Sequence, residues 1–157
     1  MARSHLDIVR TRLKEYADKG VFDSFSEGNT RGRKTEFRLG WFHFKHYTLI
    51  FDEAAGTLRL RDFLPRLDAK SQVYATLKDF VANRSDRKLV AHRRIDPRRA
   101  EARLSLRNRS GTLTMTVKNN QYTYGVRKTI NLVHEIFVML NADHIEYLYE
   151  NFDLPEE

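Results

Sequence analysis

The chain has 157 residues, 41% hydrophobic and 31% charged, which suits a single domain over residues 1–157 able to bury a core without covalent staples. It contains no cysteine, so disulfides, thiolate metal sites and cysteine nucleophiles are excluded. The formal charge of +7 is concentrated: residues 84–109 hold ten Arg or Lys against three acids, the rest of the chain holds 18 of each sign, and residues 143–157 carry six acids and no basic residue.

The opening MARSHLDIVR lacks an apolar signal core, and the longest apolar run, Ile136–Leu140, is far shorter than a membrane span. A cytoplasmic protein without membrane contact is expected. Ser4 can cap a first helix whose apolar face is Leu6, Val9, Leu13 and Tyr16, with Gly20 as its stop. The following VFDSFSEGNTRGRKT reads as a polar loop. From Glu36 the period changes to two: Phe37, Leu39 and Trp41, then Tyr47, Leu49 and Phe51, then Leu58 and Leu60 alternate with polar neighbours, predicting a three-strand meander. Phe42 and Phe44 break the phase and predict a bulge or an exposed aromatic tip near Lys45.

Asp68 is the expected cap of a second helix with the face Val73, Leu77, Phe80 and Val81. The basic window follows, with a short strand at Leu89 to Ala91 and a break at Asp96-Pro97. Alternation then resumes in two strands joined at Asn108-Arg109-Ser110-Gly111, with Ala102, Leu104, Leu106, Leu113, Met115 and Val117 facing inward. A short Tyr122/Tyr124 stretch passes through Gly125 into a long helix over residues 127–152, expected to bend beyond Asn141-Ala142-Asp143. The first half of that helix is apolar nearly all the way round, so a sheet covers one side and a second element or a second chain must cover the other. Leu132, Ile136, Val138 and Met139 are the candidates for self-association.

The fold class is therefore α+β, a mostly antiparallel sheet in the order α-βββ-α-ββ(β)-α with helices on one face and a long C-terminal helix. This layout, and in particular LKDFVANRSDRKLVAHRRIDPRRAEARLSLRN and GTLTMTVKN followed by the long helix, resembles the type III secretion chaperone-like fold and the small bacterial domains described as sensory-transduction regulators. The resemblance spans Leu6 to Phe152 and implies a non-enzymatic protein-binding or regulatory module, often dimeric. Members of those groups are typically acidic, whereas this chain is basic.

Catalytic and metal motifs fail on spacing. His134-Glu135 lacks the second histidine of a zinc-protease helix, because position 138 is Val. His43 and His46 would point to opposite faces of a strand. The Gly28–Thr35 loop has neither the spacing nor the following helix of a phosphate-binding P-loop, and no GxSxG is present. Neither a cofactor nor a catalytic residue is expected. Two functions follow: a chaperone-like, self-associating protein binder, and alternatively a nucleic-acid-binding module using residues 84–109 and the outward face of the sheet. For the second, the candidate contacts with nucleic acid or an acidic partner are Arg93, Arg94, Arg98, Arg99, Arg103, Arg107 and Lys118, with Tyr122 and Tyr124 stacking on bases and Arg38, Arg59 and Arg61 extending the surface.

Overall fold

The structure, a computed structural model, describes residues 4–41 and 45–152. The Phe42/Phe44 tip lies outside the described residues. Helix α1 (His5–Asp18) begins where the Ser4 hydroxyl accepts the Asp7 amide at 3.1 Å, and it buries Val9 and Leu13. Four strands follow, β1 (Ser24–Arg31), β2 (Lys34–Trp41), β3 (Lys45–Asp52) and β4 (Thr57–Leu64). Helix α2 (Gln72–Ala82) precedes an irregular segment, then the hairpin β5 (Ala100–Arg107) and β6 (Ser110–Val117), and finally α3 (Tyr122–Asp143) and α4 (Ile145–Asn151). The result is an α+β fold. One six-stranded sheet runs β1-β2-β3-β4-β6-β5 with every neighbour antiparallel.

Strand β1 occupies part of the stretch read as a polar loop. It is an edge strand in which only Phe25 and Gly28 are even half-buried and the register slips between Glu27 and Thr30, so it carries no apolar alternation to detect. What holds it is Phe25 stacked on Phe37 at 6.0 Å and Glu27 accepting from Arg10 of α1 at 3.0 Å. Leu89–Ala91 form turns rather than a strand, with the Arg93 and Arg94 amides both donating to the Val90 carbonyl. The cap of α2 is Ser71, whose hydroxyl accepts the Tyr74 amide at 3.1 Å; Asp68 instead accepts from the Lys70 amide one turn earlier.

Helix α3 starts at Tyr122, five residues before the expected boundary, and Gly125 lies inside it. That glycine serves close packing: a Cβ there would run into Val117 Cγ2 of β6. The helix stops at His144, whose amide donates to Leu140, so α4 is a separate turn that buries Tyr147 and Leu148. Inward side chains of all six strands, including Phe37, Leu49, Phe51, Leu58, Leu60, Leu104, Leu113 and Met115, form one core with α1, α2, α3 and α4. The second side of α3 is covered by the chain's own α1 and α2. Leu132 and Ile136 are 2% and 0% exposed, so they are core residues and not available to a second copy. Of the four self-association candidates, Val138 is 56% exposed and Met139 half-buried.

Between Leu60 and Leu64 the β4–β6 register shifts, and Asp62 adopts a positive φ of 54°. The Asp62 amide, displaced from the ladder, donates to Thr112 Oγ1 at 3.1 Å. The bulge brings Phe63 and Leu64 both into the core, where Phe63 meets Phe137 of α3.

Candidate nucleic-acid interface

Strand alternation turns a second set of side chains away from the core, on the outward face of the sheet. Two cross-strand rows carry its charge. One is Ser26, Arg38, Thr48 and Arg61 across β1 to β4. The other is Glu36, Ile50, Arg59, Thr114 and Arg103 across β2, β3, β4, β6 and β5. Arg107 extends the face along β5. Arg59 and Arg103 flank Thr114 two strand spacings apart, roughly 10 Å, so long guanidinium arms can converge above the threonine.

The third row is balanced. Lys34 lies 3.9 Å from Asp52, and Lys118 Nζ lies 2.8 Å from Glu101. By contrast, among the described residues no carboxylate lies within 4.0 Å of Arg38, Arg59, Arg61, Arg103 or Arg107. Glu36 and the bulge residue Asp62 are the nearby acids, too few to offset five guanidinium groups. Two hollows adjoin the face: one of about 630 Å³ contains Arg38 and Arg61, and one of about 490 Å³ contains Arg59 and Arg103 and reaches Val81 and Ala82 at the end of α2.

The remaining candidates separate into distinct environments. Arg93 Nε is 3.5 Å from Glu135, which also pairs at 2.8 Å with Arg84, the most buried cation of the basic window. Lys118 is tied to Glu101 and to the Pro97 carbonyl. Arg98 is exposed on a turn closed by its own amide donating to Asp96. Arg94 and Arg99 sit on the helix side of the molecule, around Tyr124.

Tyr122 and Tyr124 are buried and offer no free ring to a base, contrary to the expectation of stacking. Tyr122 packs against Phe51 at 5.2 Å and His5 at 4.9 Å. Tyr124 lies under the Arg99 guanidinium, and its hydroxyl accepts the Asp96 amide at 2.8 Å. Their place in the first turns of α3 dictates this, since both side chains lie on buried faces of that helix. The candidate list omitted Arg127 and Lys128, which the structure brings beside Arg94 and Arg99. Their spacing held the signal: residues three and four after Tyr124 share its helical face.

Among the described residues no group of three or more His, Asp or Glu is placed to hold a metal, and no helix is long and apolar enough to cross a membrane. The geometry defines an α+β protein whose sheet carries, on its outward face, five arginines without a carboxylate partner among the described residues. No family model, curated protein or solved structure matches the chain.

Proposed function

We propose that the protein is a cytosolic, non-enzymatic nucleic-acid-binding module that holds the phosphate backbone on the open face of its sheet, with Arg59 and Arg103 at the centre. The observation that carries this reading is the set of five arginines from three strands (Arg38 on β2, Arg59 and Arg61 on β4, Arg103 and Arg107 on β5) on the outward face, without carboxylate partners among the described residues. A guanidinium presents a planar fork that matches phosphate oxygens. Thr48, between Arg38 and Arg61 in its row, adds a hydroxyl that can donate to phosphate without reading sequence. The two charged rows hold no aromatic side chain among the described residues, so this reading assigns them contacts to the phosphate backbone.

Fluorescence anisotropy of labelled single- and double-stranded oligonucleotides across a potassium chloride series tests this. Four neutralised phosphates give a log–log slope of roughly −3 to −4. The double variant Arg59→Glu/Arg103→Glu should reduce that slope by roughly 1.4 to 1.8 and weaken binding. The control is Lys14→Glu/Lys19→Glu, an equal charge change at exposed positions of α1 and its C-cap in the helix layer, which should leave most of the affinity intact. Absence of saturable binding at low salt, or equal losses from the two double variants, would refute the reading.

A further inference from the structure

On the helix side, the irregular segment before β5 lies against the start of α3 and borders an open hollow of about 440 Å³. Four cations line it: Arg94 and Arg99 from the segment, Arg127 and Lys128 from α3. Three of them crowd one ring. The Arg99 guanidinium carbon lies 3.7 Å from the Tyr124 centroid, Lys128 Nζ 5.4 Å and the Arg127 guanidinium carbon 5.5 Å. A single ring quadrupole cannot neutralise three full charges. Among the described residues the only carboxylate lining the hollow is Asp96, and one of its oxygens already accepts the Arg98 amide at 2.9 Å.

The site is built rather than incidental. Lys128 is 5% exposed, and its ammonium donates to the Ala91 and His92 carbonyls at 3.1 and 3.2 Å, leaving one N–H uncommitted. Arg99 directs Nε and Nη2 to the Gln121 side-chain oxygen, leaving Nη1 unengaged among the described residues. Tyr124 is locked by its hydrogen bond from Asp96. Burial, and then the neighbouring Arg127, Arg99 and Arg94 charges, hold Lys128 below the usual lysine range, against the opposing pull of Glu135. A buried ammonium so placed is a group whose charge is suited to an incoming anion.

We propose that this hollow is a phosphate-binding site for a phosphomonoester or inorganic phosphate dianion, held by Arg94, Arg99, Arg127 and Lys128 above Tyr124. A carboxylate offers one planar edge, which one guanidinium already satisfies. A phosphate offers three or four acceptor oxygens around a tetrahedron, which suits cations arriving from two separate chain segments. The volume admits a phosphate together with a small attached group. The site is separate from the outward face, being lined by none of the arginines assigned there.

Isothermal titration calorimetry of the full chain at low ionic strength tests the site, with sodium phosphate against sodium acetate and sodium chloride at matched ionic strength. Saturable one-site phosphate binding is expected, at least about tenfold tighter than acetate, as is a loss of at least about tenfold in Arg94→Gln/Arg127→Gln. Circular dichroism of that variant should remain that of the folded protein, since Arg127 is exposed and Arg94 partly so. Arg59→Glu/Arg103→Glu should bind phosphate as the parent chain does, so this result stands or falls apart from the nucleic-acid reading. Phosphate indistinguishable from acetate, or unaffected by the Arg94/Arg127 change, would overturn the proposal. Oligonucleotides of one sequence with and without a 5′-phosphate identify the source. Tighter binding of the phosphorylated strand, lost in Arg94→Gln/Arg127→Gln, assigns the site to strand ends, and equal binding assigns it to a free phosphate compound.

Discussion

Replacing Glu135 should expose how much the fold depends on one buried ion pair. Arg84 and Glu135 side chains are only 8% and 15% exposed, and Arg84 Nη1 meets Glu135 Oε2 at 2.8 Å. Arg84 Nε also donates to the Phe80 carbonyl at 3.0 Å, and its guanidinium lies 3.8 Å above the Phe80 ring. This pair joins the turn after α2 to α3 across 51 residues of chain. Glu135→Ala leaves the guanidinium buried without its counter-charge, a change that costs about 3–5 kcal/mol. Arg93, 3.5 Å from Glu135 and half in solvent, adds at most about 1 kcal/mol. At roughly 2–4 °C per kcal/mol for a chain of this size, the melting temperature should fall by about 6–20 °C. The informative comparison is Arg84→Met/Glu135→Leu, which removes both charges and should lie within about 1 kcal/mol of the parent or above it. Urea denaturation followed by circular dichroism of the parent, Arg84→Met, Glu135→Leu and the double variant gives the corners of the cycle. A loss below about 1 kcal/mol for Glu135→Ala, or a double variant as unstable as the two single changes summed, would refute the reasoning.

Gly125→Ala gains up to about 1 kcal/mol of helix propensity but drives a methyl into Val117, a stiff β-branched side chain, so a net loss of about 1–2 kcal/mol in urea denaturation is expected. Burial raises the Tyr47 and Tyr147 phenols above the ordinary tyrosine value of 10.0, and in Tyr147 the nearby Tyr47 adds to it. The unfolded chain therefore releases protons first on the alkaline side. Stability is full below about pH 10 and falls as pH rises from there, measurable as a declining melting temperature alongside a delayed phenolate absorbance. Tyr47→Phe deletes a buried hydroxyl that has no partner among the described residues and should be neutral or stabilising by up to about 2 kcal/mol.

Period and punctuation in the chain were enough to define the α+β class, the inward faces of β2 to β6 and the three main helices. These elements are half-buried, and half-burial writes itself into sequence as alternation or a helical stripe. The same alternation puts Arg38, Arg59, Arg61, Arg103 and Arg107 together on the outward face. Strand β1 was illegible because an edge strand with one half-buried phenylalanine has no period. The boundary of α3 was misplaced because Gly125 resembles a stop until Val117 is seen pressed against it.

What only the tertiary structure decided is the role of each cation and of each apolar residue on α3. Ten basic residues in one window look alike in sequence. Contacts from distant positions make Arg84 and Arg93 partners of Glu135, tie Lys118 to Glu101, set Arg94 and Arg99 beside Arg127 and Lys128, and leave Arg103 and Arg107 in solvent. Likewise the all-round apolar helix required a second cover, and only packing identified it as α1 and α2 of the same chain. Local pattern reports how much surface must be buried or solvated. The partner that does so is set by long-range contacts, which a pattern along one chain does not encode.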